Sequence, residues 1–306
     1  MNKKSWATMV ARDFNKNKWK YVLILPIIIY LLLFHYKTMY GLIISFQNYK
    51  PYLGYAHSEF VGLLQFKRIF ADPYFARSFR NTLVISLLTL IFAFPAPILL
   101  ALILNEVKRS GFKRTVQTVT YLPHFIASVV VCGLVSSFCQ INGIITDLVV
   151  FFGGERQNLL MNKDFFYPIY IISEIWQNIG WDSIIYLAAL SSIEQEQYEA
   201  ARIDGAGRFA QIVNITLPGL LPTVSMLLIL RMGSLLSVGY EKILLLYQPS
   251  TYEVADVLST YVYRKGIIDG SFSFSAALGF FNSIINIILL VSANKISKRV
   301  GQSGLF

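Results

Sequence analysis

Charge is what this chain of 306 residues has least of: only 14% of its positions are Asp, Glu, Lys or Arg. A water-soluble domain carries roughly 25%. A fold of this composition cannot clothe itself in solvent, and a cytosolic enzyme is excluded. Cysteine is scarce too. The 2 residues, Cys132 and Cys139, both lie inside an apolar run, which excludes a disulfide scaffold. The 3 histidines, His35, His57 and His124, are scattered without metal-ligand spacing. There is no His-Glu-x-x-His, no arguable Ser/His/Asp arrangement, and no Gly-x-x-x-x-Gly-Lys-Ser/Thr loop to cradle a nucleotide. No Pro/Gly/Ser linker and no repeat period divides the chain. Hydrophobic residues, by contrast, fill 55% of positions, and the mean hydropathy of +0.54 excludes intrinsic disorder.

A bilayer core about 30 Å thick takes roughly 20 mostly apolar helical residues to cross. Six stretches meet that length: 21–46, 82–104, 119–138, 165–190, 217–238 and 274–293. The expected fold class is therefore all-α, a polytopic membrane protein with six transmembrane helices. Residues 1–20 form a separate N-terminal segment, and 21–306 one membrane domain. In the leader, Trp6, Met9, Val10 and Phe14 recur at helical spacing among lysines and arginines. That pattern predicts a short basic amphipathic helix on the inner leaflet.

The net charge of +10 does not point to nucleic acid, because the basic residues sit between apolar runs rather than on one patch. Alternate connections divide them unequally. Residues 1–20, the turn near Lys108, 191–216 and the tail hold 15, and the much longer 47–81, 139–164 and 239–273 hold 10. The denser set is expected to face the cytoplasm, which places both termini inside and the chain, multi-pass, in the cytoplasmic membrane against lipid. The long Tyr- and Phe-rich stretch 239–273 is expected at the outer mouth.

The connection 191–216 is longer than two spans need. Its residues 194–208 read as a good helix former through Arg202, broken by Gly205 and Gly207, with Pro218 tolerated at the start of the next span. Glu199, Ala200 and Ala201 offer a small surface with one charge, a shape suited to a groove in another protein.

Here a resemblance enters. Glu199-Ala200-Ala201, then Gly205, then Ile215-Thr216-Leu217-Pro218 resembles the EAA signature of ABC-importer permeases. Thr120-Tyr121-Leu122-Pro123-His124-Phe125, the run 181–190 and the tail 301–306 resemble the oligosaccharide branch of that superfamily, found mainly in Gram-positive bacteria. The resemblance implies a type I importer permease fold with a coupling helix between helices 4 and 5. It implies Glu199 as docking anchor with Ala200 and Ala201, Gly205 and Gly207 as the turn, and Arg202 or Asp204 as polar contacts to an ATPase. It further implies a second, homologous permease in a heterodimer, an ATPase subunit pair that carries ATP and Mg, an extracellular substrate-binding lipoprotein, and an oligosaccharide as cargo. The chain itself binds no cofactor and catalyses nothing on this reading.

Polar residues inside the spans mark the expected path. A charge at mid-helix costs about 2.5–3.5 kcal/mol on insertion scales, so it faces a partner or a water-filled cavity. Glu174, Gln177, Asn178, Trp181 and Asp182 interrupt the fourth span, Arg231 the fifth, and Asn282, with Asn286 one turn on, the sixth. Amide groups bond hydroxyls and an indole covers the apolar face of a sugar ring. The maltose-transporter permease, by resemblance, adds Leu235 and points to the helices on either side of the EAA loop. A permease for a non-sugar solute is one alternative. An intramembrane enzyme using Glu174 and Asp182 as acids is another, and it would turn over without any ATPase.

Overall fold

The computed structural model of the chain describes residues 3–301 and 304–306, the side chains of residues 3–12 and 15 excepted. The amphipathic face expected of Trp6, Met9 and Val10 lies outside the described side chains. Helix α1, Lys3–Tyr30, is kinked at Asn17 and runs on through a π turn, Leu31–Tyr36, to a 3-10 segment ending at Phe46. Across Lys16–Phe46 its apolar window has 0% of residues buried, so α1 stands away from the body and packs only through its last turns. There Phe46 meets Phe66 and Phe280, with ring centroids 5.5 and 5.9 Å apart.

Helix α2, Pro73–Glu106, begins under two helix-start devices: Pro73 at its first position and the Asp72 carboxylate accepting the Tyr74 N–H at 2.9 Å. Pro95 cannot donate to the preceding turn, and the helix absorbs it with a π turn at Thr89–Ala93.

The third expected span is not one rod. Helix α3, Ser110–Tyr121, tightens at Pro123 into a 3-10 turn, Ile126 and Ala127 are extended, and α4, Ser128–Phe138, leaves at 100° to the first piece. Proline removes a helical donor just where the backbone departs. Helix α5, Lys163–Ser191, opens with the Asn162 side chain accepting the Asp164 N–H at 3.0 Å. It crosses α3 with no room to spare. A Cβ on Gly180 would collide with the Thr120 carbonyl, which is backbone and cannot swing aside. Gly180→Ala is therefore expected to lower the thermal midpoint of the purified protein, by overpacking of about 1–3 kcal/mol. An unchanged midpoint would mean the two helices part freely.

Helix α6, Gln195–Ile203, leads by a turn into α7, Arg208–Met232, and the chain closes with α10, Phe272–Arg299. Among the described residues, four helices qualify as spans by length and apolarity: Lys16–Phe46, α2, α7 and α10; the bent α3–α4 pair makes a fifth if it counts as one. At 29 residues α5 is long enough but carries the polar residues already noted.

The segment 239–273 is more than a surface loop. Its helices α8, Tyr240–Leu246, and α9, Leu258–Tyr263, insert into the core, where Ile243, Leu246, Val257, Leu258 and Tyr261 are buried. Asp256, fully buried, explains how. Its two oxygens take the Arg264 guanidinium at 3.1 and 2.6 Å, Thr260 at 2.9 Å and Ser78 of α2 at 3.3 Å. Asn81 of α2 donates to the carbonyls of Glu253 and Asp256, both at 3.0 Å. Polar residues of α2 thus staple the inserted segment down. Tyr261 adds a bond to Asp72 at 2.5 Å; burial first, then that bond, pushes its phenol above the usual tyrosine range. A small antiparallel pair, β1 (Gln47–Asn48) with β2 (Glu59–Phe60), joins Gln47 to Phe60 beyond α1.

Candidate functional site

At about 100° per residue, α5 fans its polar side chains over an arc. Asn178 and Asp182 fall to one side of Glu174, and Gln177 and Trp181 to the other. Two cavities follow from that split. The first, 420 Å³, is lined by Glu174, Asn178 and Asp182 of α5, by Arg231 and Ser234 at the end of α7, and by Phe94 and Pro97 of α2. The second, 490 Å³, lies beneath the broken third span between His124, Phe125 and Ser128, and shares Glu174 and Asn178 with the first.

Four expected site residues therefore meet: Glu174, Asn178, Asp182 and Arg231. Their roles differ from one another. Glu174 is engaged on both oxygens, by Lys242 Nζ at 3.0 Å and by Asn178 Nδ2 at 3.0 Å. The Asn178 amide is turned by that bond, and its oxygen lies 3.1 Å from His124 Nδ1. Asp182 and Arg231 form no side-chain hydrogen bond or ion pair among the described residues, although they line one cavity with opposite charges. They are the groups free to take a ligand.

The remaining expected residues are placed elsewhere. Gln177 is buried, accepts from Lys242 Nζ at 3.1 Å and donates to the Ile126 carbonyl at 3.4 Å. Trp181 stacks flat on His124, centroids 4.6 Å apart and planes at 3°, outside the first cavity. Leu235 points its side chain into the protein, and its carbonyl accepts from Ser86 at 2.5 Å. Asn282 lines neither cavity; its Oδ1 is buried and has no partner among the described residues. Its neighbour Asn286 receives the Leu236 N–H at 3.1 Å and so secures the end of α7.

Lys242 is the residue that sequence reasoning missed. It lay in a stretch read as an outer loop, and its partners stand 68 and 65 positions away. One signal was available: Lys242 opens the apolar run Ile243-Leu244-Leu245-Leu246, and a lysine on that stripe needs an acid.

The turn between α5 and α7 is built as its residues suggested. Helix α6 ends in a Schellman arrangement, with the Gly205 N–H on the Arg202 carbonyl at 3.1 Å and the Ala206 N–H on the Ala201 carbonyl at 2.8 Å. Gly205 sits at φ +80°, where a side chain is strained. Gly207 is extended and leads into α7. Tyr198 bonds Thr216 of α7 at 3.0 Å, and Ile193 packs on Gly219, so the elbow is tied to that helix. Glu199, Ala200, Arg202 and Asp204 are exposed and Ala201 partly so, while Ile203 and Phe209 stand 87% and 80% exposed. That outward face is unsatisfied on its own.

Residues 93–302 match the family of binding-protein-dependent transport system inner membrane components. The chain belongs to this family. As one of these inner-membrane components it serves transport and not catalysis. It is 45% identical to protein LplB of Bacillus subtilis over 99% of this chain and 94% of that one. It is also 45% identical to the polygalacturonan/rhamnogalacturonan transport system permease protein YteP of Bacillus subtilis, over 95% of this chain and 91% of that one. Among solved structures it resembles a chain of a bacterial alginate ABC transporter crystallised with an alginate pentasaccharide-bound periplasmic protein. There the TM-score is 0.88 and the identity 42%, over 96% of this chain and 99% of that one.

Proposed function

We propose that the chain is one permease of an ATP-driven importer that carries an oligosaccharide across the cytoplasmic membrane by alternating access. The observation that carries this reading is the placement of the first cavity between α5 and α7, the two helices that the elbow joins. A push on α6 is transmitted to both walls of the cavity at once. On this reading α5 is a span despite its charges and the α3–α4 pair is another, which gives six, with both termini inside. Glu199, Ala200 and Ala201 of α6 form the coupling face. Arg202 and Asp204 flank it, and ATP and Mg are held by an ATPase pair. A binding lipoprotein delivers the cargo, and a second, homologous permease covers the bare flank of α1.

Arg231 refines the cargo. A guanidinium with no internal partner in a polar cavity is a carboxylate receiver, and Asp182 opposite it accepts sugar hydroxyls. The relatives named for polygalacturonan and alginate transport agree with a uronate-bearing chain. The test is co-purification with the ATPase and the second permease, followed by ATPase stimulation across a glycan panel with the binding protein. Uronate oligosaccharides are expected to stimulate. Arg231→Gln should reduce their uptake about tenfold, the size of one charge-assisted hydrogen bond, while neutral glycans change less than twofold. Equal losses for charged and neutral glycans would sink the role of Arg231. An absence of stimulation by any glycan would sink the reading as a whole.

A further inference from the structure

Lys242, Glu174, Asn178 and His124 form one chain of hydrogen bonds, and its chemistry runs in one direction. Buried Lys242 donates to Glu174, and Glu174 fixes the Asn178 amide with its nitrogen inward. The amide oxygen then faces His124 Nδ1, and because that oxygen only accepts, Nδ1 carries the proton. In the neutral tautomer that proton leaves the lone pair on Nε2, which meets no partner among the described residues. Trp181 backs the ring, and Phe125 stands edge-on to both at 5.8 and 5.4 Å. Phe125 is 70% exposed, and the exposed carboxylate of Glu241 sits on the same cavity.

A clamp between helices would need none of this. Buried ion pairs hold helices no better than apolar contacts of the same volume, and a clamp has no use for a relay that ends on an open acceptor. A cavity with acceptors and an aromatic edge suits a ring that carries hydroxyl donors. It shares Glu174 and Asn178 with the Arg231 cavity, so the two lie side by side.

We propose that the cavity beneath the broken third span is a second sugar-ring subsite, with His124 Nε2 and Glu241 as hydroxyl acceptors and Lys242 as the positioning residue that sets His124 through Glu174 and Asn178. The inference rests on the oligosaccharide reading and adds a length requirement to it: a longer glycan uses both cavities, a shorter one the Arg231 cavity alone.

The experiment uses the whole complex in proteoliposomes, with the binding protein saturated so that its own affinity drops out. Uptake is compared for the shortest glycan delivered and for one two residues longer. His124→Phe keeps a flat ring against Trp181 and removes both nitrogens. It is expected to slow the longer glycan about fivefold, the size of one hydrogen bond, and the shorter one less than twofold. Lys242→Met also releases Glu174 in the Arg231 cavity, so it should slow both glycans, the longer one more, and Lys242→Arg should restore both. Should Lys242→Met fail to assemble, His124→Phe carries the test alone. If both glycans slow equally, or neither does, the subsite is refuted while the importer stands. If the unaltered complex moves neither glycan, the oligosaccharide reading falls and the subsite with it.

Discussion

Gly205→Pro is expected to leave the transporter assembled and its uptake lower by about a hundredfold, the size of effect that a small misplacement far from a working centre can have. The reason is local. Proline holds φ near −65°, whereas Gly205 sits at +80° and donates its N–H to Arg202. The Schellman end of α6 cannot form around that ring, and the elbow loses its fixed angle to α7. Glycan-stimulated ATPase activity should fall with uptake, since on the proposed coupling the signal passes both ways through one joint. Gly205→Ala is the graded control, with strain of about 1–2 kcal/mol for a side chain in the left-handed region and a partial loss. Glu199→Lys, which reverses the charge on the exposed face, should act in the same direction. Full glycan-stimulated ATPase activity in both Gly205→Pro and Glu199→Lys would refute the coupling role.

The second large effect is on stability and lies far from the elbow. Asp256→Ala is expected to lower the stability of the detergent-solubilised protein by about 3 kcal/mol. That is the low end for breaking a buried ion pair, because the Arg77 and Arg264 side chains left behind are 33% and 28% exposed and recover some water. The measurement is the midpoint of thermal unfolding, with Asp256→Asn alongside to separate lost charge from lost shape. With its anchor gone, the segment 252–264 loses its hold on α2, and its amides should exchange hydrogen faster than those of α7. If the midpoint does not move, the apolar contacts of Leu258 and Tyr261 hold the segment by themselves.

The sequence made some of this legible and hid the rest for identifiable reasons. Four spans were readable because length and hydropathy are summed along the chain and need no partner. The elbow was readable because Gly205 and Gly207 have local meanings. The polar face of α5 was readable in part: spacing groups Glu174, Asn178 and Trp181 on one face with Asp182 beside them, but only the fold shows that Glu174 and Asn178 are bound to Lys242 and His124. Trp181 shares that face, and its helical phase turns it away from the first cavity and onto His124. The break at Ile126–Ala127 escaped because a hydropathy window sees side chains and not backbone direction. The inward course of 239–263 escaped for the opposite reason: its fold depends on Asp256 meeting Arg264, Ser78 and Asn81, and two of those three belong to a distant helix.

Helix α1 has one more consequence, for how the protein must be made. Most of its apolar length finds no docking place on the rest of the described chain. On the proposed pairing with a second permease, only lipid surrounds it until that companion arrives. Copies synthesised in excess of that companion would wait in the bilayer with an unclaimed helix, open to membrane quality control. If the proposed pairing holds, matching the output of two messages follows from the shape of the molecule.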